Sequence, residues 1–127
     1  MFTPFTAYLV VTALAVAANL FAAGVDFVRN PQVAINMDRA GVPRSWMIPL
    51  GILKAAGALG LLLGIFVPPI GIAAAVGLVL FFVGAIITHL RGHYYAFTAP
   101  IIFLTLAVAA LVLRLAVSGV TIAPGSL

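Results

Sequence analysis

The chain has 127 residues, of which 65% are hydrophobic and only 6% are charged, and its mean hydropathy is +1.34. Apolar runs of about 20 residues recur along it, which is typical of an integral membrane protein and excludes a large soluble domain. We therefore predict a single integral membrane domain over residues 1–127.

The formal charge of +4 reflects six Lys and Arg against two acids. In a membrane chain such an excess sets orientation, so nucleic acid is not an expected partner. The absence of cysteine excludes disulfides, thiol redox chemistry and thiolate metal sites within the chain.

Proline, glycine and arginine positions predict four membrane-spanning helices. Pro4 stands in the first turn of the first span, where a proline costs no hydrogen bond. Pro68 and Pro69 are expected to break the second span and to join it to the third as an antiparallel hairpin, and Gly119 is expected to end the fourth. The predicted spans are residues 5–27, 46–67, 70–90 and 97–118, each about 31 Å long at the helical rise. The fold class is therefore an all-α bundle of four transmembrane helices. The first segment lacks a basic flank and a cleavage site, so we expect a retained helix and not a signal peptide.

A short amphipathic helix is predicted between the first two spans. Asn30 is a suitable cap, Pro31 suits the first helical position, and Gly41 is expected to stop the helix in the left-handed conformation. Apolar and polar residues recur at helical spacing on two faces, with Val33, Met37 and Ala40 opposite Gln32, Asn36 and Arg39. We expect this helix to lie in the membrane interface as a lid or anchor, and the alternative is a substrate gate.

Arginines predict the orientation in the membrane. The loop after the first span carries Arg29, Arg39 and Arg44, and the loop after the third span carries Arg91, whereas the N-terminal tail and the Pro68-Pro69 turn carry none. Positively charged loops remain in the cytoplasm. We therefore expect both termini outside, in a membrane that we take to be the bacterial cytoplasmic membrane.

Small residues are expected to form the packing faces. Gly60 and Gly64 make a GxxxG motif, which lets helix backbones approach closely where lipid provides no hydrophobic driving force. Packing within the bundle is the expected use of this motif. The alternative is contact with a second copy of the chain.

Four polar residues inside the spans are the candidate site. Asn19 and Asp26 lie two turns apart on one face of the first span. Lys54 lies about 12 Å below Trp46 by helical rise, and a lysine can extend toward the interface to meet Asp26. His89 belongs to the same half of the membrane. We take Asn19, Asp26, Lys54 and His89 as candidate binding residues, with Asp26, Lys54 and His89 as candidate catalytic residues. The alternative interpretations are a structural ion pair between helices and a proton-handling or ligand site.

No metal or other cofactor is predicted. His89 and His93 have the i, i+4 spacing that suits a metal or haem, but Gly92 lies between them and is expected to end the helix. No further histidine, no cysteine and no second carboxylate lies near enough in sequence to complete ordinary coordination.

Arg114 lies on the other side of the membrane from both acids. Because it is about one turn before Ser118, we expect its side chain to snorkel to the lipid headgroups. The alternatives are the C-terminal carboxylate of Leu127, free backbone carbonyls, or a carboxylate on another subunit.

The second span and the residues before it resemble a known family. The run RAGVPRSW from Arg39 to Trp46 and the run LGILKAAGALGLLLG from Leu50 to Gly64 resemble the DoxX-like integral membrane proteins. The likeness continues through residues 73–78, 82–85 and 89–91. Many members carry a basic residue late in the first span and an acid in the second, where this chain has Asp26 and Lys54, and the exchange of signs favours a paired role. The resemblance implies a four-helix membrane subunit, and some relatives are associated with quinone-linked sulfur oxidation or with thiol and oxidant defence.

Three classes of function follow from these observations. The first is a scaffold or accessory subunit of a membrane redox or stress-defence system, whose partners are the lipid bilayer and either another protein or a second copy of the chain. The second is a small membrane enzyme acting on an apolar molecule such as a quinone, lipid or epoxide, with Asp26 or His89 as acid or base and Lys54 as electrostatic stabiliser. The third is a small carrier.

Overall fold

The computed structural model describes residues 3–118, and within them the chain is helical. The helices are α1 (Pro4–Phe27), α2 (Pro31–Ala40), α3 (Met47–Leu63), α4 (Pro68–Arg91) and α5 (Thr98–Val117), and a 3-10 turn (Arg44–Trp46) leads into α3. All but α2 are long and apolar enough to cross a membrane, when the 3-10 turn is counted with α3. The predicted all-α bundle of four spans with a short helix between the first two is confirmed.

The four long helices form a ring in which each packs against two others. α1 packs against α3 and α5, and α4 packs against the same two helices. Because successive spans run in opposite directions, the C-terminal ends of α1 and α4 lie with the N-terminal ends of α3 and α5. We call this the basic end, because Arg29, Arg39, Arg44 and Arg91 all lie in its loops and helix termini. The opposite end of the bundle is called the far end.

Small side chains bring the spans together around an apolar core. The core contains Leu61, Leu78 and Phe82 together with four alanines, Ala15, Ala75, Ala107 and Ala110. A Cβ atom on Gly60 would lie 2.6 Å from Ala74 Cβ, and one on Gly64 would overlap the backbone of Gly71. The GxxxG motif is therefore used between α3 and α4 of the same chain, as expected for packing within the bundle.

The hairpin between α3 and α4 differs from the predicted one. α3 ends at Leu63 instead of 67, and α4 begins at Pro68 instead of 70. The prolines start a helix here because the first helical positions have no intrahelical N–H bond to lose. Val67, the residue before them, is extended at φ −126° and ψ 87°, as the proline ring requires. At the end of α5, Val117 is the last helical residue, and the predicted terminator Gly119 lies outside the described residues.

α2 has the predicted ends. The Asn30 side chain accepts hydrogen bonds from the backbone N–H groups of Gln32 and Val33, and Pro31 takes the first position. Gly41 ends the helix at φ +77°. The predicted polar face was wrong at Asn36, which lies three residues after Val33 and four before Ala40 and therefore shares their face.

Candidate functional site

The centre of the site is an ion pair between α1 and α3. Lys54 Nζ donates a hydrogen bond to Asp26 Oδ2 at 2.9 Å. The side chains are 17% and 5% exposed, respectively, so the pair lies largely away from solvent. Gly51, one turn before Lys54, lets α3 approach α1 here, because a Cβ atom on it would lie 3.0 Å from Asp26 Cβ. The predicted contact between the two charges is present, and in a medium of low dielectric it is strong enough to offset part of their desolvation.

Phe81 of α4 gives Lys54 a second neighbour. The ammonium lies 5.7 Å from the centre of the Phe81 ring, within the range of a cation–π contact. An ammonium has three N–H donors, and one of them is used by Asp26. The other two donors have no hydrogen-bond partner among residues 3–118 and are therefore available for an acceptor on a bound molecule.

His89 of α4 has its ring orientation set by the backbone. Its Nδ1 lies 2.8 Å from the carbonyl oxygen of Ala85. Because a carbonyl only accepts, Nδ1 carries the hydrogen, and in the neutral ring Nε2 is then the acceptor. Tyr94 stacks on the imidazole with ring centres 5.2 Å apart and ring planes 20° apart. The imidazole ring is therefore held by α4 and by the loop that follows it, and its Nε2 is left as a hydrogen-bond acceptor.

Asp26, Lys54 and His89 line one cavity of about 680 Å³ at the basic end of the bundle. Apolar side chains from all four long helices form most of its wall, among them Val25, Leu50, Phe82 and Phe103, and α2 contributes Val33, Asn36, Met37 and Ala40. The volume and the mixture of apolar walls with a few convergent polar groups are typical of sites for small molecules.

Asn19 is not brought to this cavity. It is buried on α1, one turn deeper in the membrane than the cavity residue Ala22. Its Nδ2 donates to the carbonyl of Ala15 at 2.9 Å, and its Oδ1 has no hydrogen-bond partner within residues 3–118. The predicted sharing of one helix face with Asp26 is correct, since both side chains face the bundle interior. The predicted cluster is therefore reduced to three residues around the cavity.

The second histidine and the metal-ligating residues do not converge. His93 is exposed, with its Nδ1 3.2 Å from the Tyr95 hydroxyl, and it does not line the cavity. Among residues 3–118, no group of three His, Cys, Asp or Glu side chains is arranged to hold a metal ion. His89 therefore lacks the partners that a metal site would need there.

Arg114, at the far end, is buried. The prediction that its side chain snorkels to the lipid headgroups is therefore wrong. Its guanidinium donates to the Gly64 carbonyl at 2.9 Å and to the Tyr8 hydroxyl at 3.2 Å, and Nε donates to Ser118 Oγ at 3.1 Å. The charge also lies 4.5 Å from the centre of the Tyr8 ring. Gly64 and Ser118 cap the C-terminal ends of α3 and α5, where free carbonyls and the helix dipoles supply negative partial charge. The alternative of free carbonyls is thus the one that the structure supports, whereas the carboxylate of Leu127 lies outside the described residues.

Sequence reasoning missed three residues that complete the site. Phe81 contacts the ammonium, Tyr94 contacts the imidazole, and Asn36 accepts a hydrogen bond from the Tyr94 hydroxyl at 3.3 Å. Asn36 could have been found from its spacing with Val33 and Ala40. No signal in the sequence places the Tyr94 ring against His89.

The fold and the site define a small helical membrane protein with an ion pair and a histidine on the wall of an apolar cavity. The model of the DoxX-like family matches residues 10–110, which contain the ion pair, His89 and the Tyr94 loop. The chain therefore belongs to the DoxX-like family. No curated protein and no solved structure matches the chain significantly.

Proposed function

We propose that this DoxX-like protein binds a lipophilic small molecule in the cavity at its basic end. The observation that carries the proposal is the opening of a membrane-embedded ion pair onto an apolar cavity of about 680 Å³. A buried pair that served only to join helices would need no such space beside it. The apolar walls suit a hydrocarbon chain or ring, and the charged wall suits a polar head.

The polar groups favour a head that both accepts and donates hydrogen bonds. The ammonium of Lys54 offers N–H donors to a carbonyl or ether oxygen, and Nε2 of His89 offers a lone pair to a hydroxyl. Quinones, lipids and epoxides all carry the acceptor oxygen, and the hydroxyl group of a quinol or of a hydroxylated lipid supplies the donor as well. The ligand class is therefore a neutral amphiphile with oxygen at its polar end.

Copurification tests this proposal directly. The protein would be purified in mild detergent, and its bound lipophiles extracted and identified by mass spectrometry. Ala85→Phe would fill the cavity, whereas Ala73→Phe would add the same side chain to an exposed position of α4 outside it. We expect a near-stoichiometric lipophile in the unchanged protein and in Ala73→Phe, and its loss in Ala85→Phe. Equal extracts from all three proteins would overturn the proposal.

A second candidate function is catalysis on the bound molecule. It is favoured by the His89 tautomer, since an imidazole with Nδ1 held by a carbonyl has Nε2 in the form of a general base. Lys54 would stabilise a negative charge that develops on the ligand oxygen. Conversion of the extracted molecule by the unchanged protein, and its abolition in His89→Gln with binding retained, would support this role.

The scaffold role expected from the sequence remains a prediction, because no described contact identifies a protein partner. The carrier alternative gains no support, since the packed core containing Leu61 and Leu78 lies between the cavity and the far end. Pull-down of a redox partner from native membranes that survives Ala85→Phe would favour the scaffold role over ligand binding.

We also propose that the basic end faces the cytoplasm and that both termini lie outside. The support is the concentration of arginines at one end of the bundle. Because the chain has no cysteine, Thr3→Cys and Ser126→Cys would each give a single thiol for labelling in intact cells. Labelling of either position only after the membrane is permeabilised would contradict this orientation.

A further inference from the structure

We infer that α2 is a lid over the cavity, and that its displacement opens the ion pair and His89 to the aqueous side of the basic end. The inference rests on the proposed function, because a lid regulates access to a site only if the cavity is a ligand site. The motion itself can nevertheless be measured without any ligand, so the two proposals fail separately.

α2 forms one wall of the cavity and belongs to no span. It contributes Val33, Asn36, Met37 and Ala40 to the lining, while its neighbours in the fold are α4 and the 3-10 turn. With ten residues and a polar outer face, it is too short and too polar to cross the membrane. Moving α2 would therefore expose the cavity without breaking the ring of spans.

One hydrogen bond between side chains joins α2 to the loop beside the site. The Tyr94 hydroxyl donates to Asn36 Oδ1 at 3.3 Å, and the same tyrosine ring stacks on His89. An ion pair also joins Asp38 of α2 to Arg44. Because Arg44 lies in the connection at the C-terminal end of α2, this pair does not tie the lid to the spans. Tyr94 thus acts as a latch that links the lid to a residue of the candidate site.

The chain turns through a left-handed residue at each end of α2. Arg29 has φ +53° and Gly41 has φ +77°. A left-handed arginine is strained, whereas a glycine adopts this conformation freely. Single residues that reverse the chain direction are suitable hinges, because a change at one backbone position rotates everything between them.

The C-terminal end of the lid rests on Gly92. A Cβ atom there would lie 2.6 Å from the carbonyl oxygen of Ala40 and 2.8 Å from its carbon. Gly92 has φ −85°, which alanine adopts without strain. Gly92→Ala should therefore push the end of α2 away while leaving the local backbone of α4 unperturbed. Gly77→Ala is a matched control, because a Cβ atom at that helical position would meet nothing within 4 Å.

Reaction rates of a single thiol test the lid. Ala22→Cys places the only thiol of the chain on the cavity wall. In proteoliposomes with reagent on both sides, we would measure its modification by the charged, membrane-impermeant reagent 2-sulfonatoethyl methanethiosulfonate. The lipid-soluble reagent N-phenylmaleimide would be measured in parallel. The backgrounds are the unchanged chain, Gly92→Ala, Tyr94→Phe and Gly77→Ala.

We expect the charged reagent to react about tenfold faster in Gly92→Ala, since overpacking the seat disfavours the closed lid. In Tyr94→Phe the rate should rise about fivefold, the change that loss of one neutral hydrogen bond produces. In Gly77→Ala it should stay within about twofold of the unchanged chain. The lipid-soluble reagent should react at a similar rate in all four. Equal rates of the charged reagent would overturn the lid, and so would a parallel rise for both reagents, which indicates a loosened bundle.

Discussion

Removing one partner of the Asp26–Lys54 pair should destabilise the protein far more than removing both. The pair joins α1 to α3 at 2.9 Å, with side chains 5% and 17% exposed. Loss of one member of a buried pair typically costs about 3–5 kcal/mol because the other charge is left uncompensated, whereas removal of both charges leaves no charge without a partner.

The two single variants should not be equal. In Lys54→Met the carboxylate of Asp26 remains at 5% exposure without its ammonium, so we expect a loss near the upper end of the range, about 5 kcal/mol. In Asp26→Asn the ammonium of Lys54 is more exposed and keeps the Phe81 ring, so we expect a loss near the lower end, about 3 kcal/mol. The double variant should recover most of either loss.

The assay is reversible unfolding in mixed micelles, followed by tryptophan fluorescence of Trp46, for all four members of the cycle. Asp38 and Arg44 provide a control cycle with the same chemistry at the surface, since their side chains are 51% and 60% exposed. We expect little coupling there, because solvent screens exposed pairs. Strictly additive losses at Asp26 and Lys54 would refute the argument that these residues stabilise the bundle as a pair.

Three further changes test the packing of the bundle, each by the free energy of unfolding. Arg114→Met should cost about 3 kcal/mol because it leaves the Gly64 carbonyl without its charged donor. Arg114→Lys should recover part of this loss. A lysine variant as stable as the unchanged protein would contradict a role for the planar guanidinium. Gly64→Ala should cost about 1–3 kcal/mol through overlap between α3 and α4. Gly77→Ala should be neutral or stabilising, so equal losses at the two glycines would argue against the close contact. Thr12→Val should stabilise the protein by about 1 kcal/mol because the buried Thr12 hydroxyl has no partner within residues 3–118. Thr105→Val, at an exposed position, should be neutral. A loss of stability in Thr12→Val would reveal an unseen partner such as an internal water molecule.

The membrane architecture could be predicted because it depends only on composition and on the positions of proline, glycine and arginine. Runs of apolar residues of bilayer length, separated by arginines and prolines, leave few alternatives to a four-helix bundle. The ends of α2 were predictable for a similar reason, since Asn30, Pro31 and Gly41 each act on their own backbone neighbourhood. The contact of Asp26 with Lys54 followed from scarcity, because the chain has only two acids and one lies in the membrane half that Lys54 can reach.

The depth of a residue in the membrane was easier to predict than the side of the helix on which the residue lies. The rise per residue places Arg114 one turn from the end of α5, which suggested snorkelling, but it does not say which way the side chain points. The rotation was in fact encoded in the spacing of the small residues. Ala107, Ala110 and Arg114 lie three and four residues apart, and all three are buried on the inner face. Treating the alanines as the interior face would have placed the guanidinium inside.

The cavity could not be predicted because it is a property of what the helices leave unfilled. Its walls come from five helices, and its polar contacts at Tyr94 and Asn36 join residues 58 positions apart through loops. Such contacts depend on the angle at which α2 leaves Arg29 and on the path of the chain after Gly92. Neither is set by a pattern of hydrophobic residues.

The distribution of charge indicates how a ligand would be oriented in the cavity. Apart from Arg114, every charged side chain of the chain lies toward the basic end, and both acids are paired there. One acid, Asp38, is exposed and holds the connection after α2, whereas the other, Asp26, is buried on the cavity wall. An amphiphile in this cavity would therefore direct its polar head to the basic end and its apolar part between the spans, because Asp26, Lys54 and His89 lie on the cavity wall at that end. The same asymmetry explains why a lid at the basic end would control access for the polar head, while the apolar part can be accommodated from the lipid side.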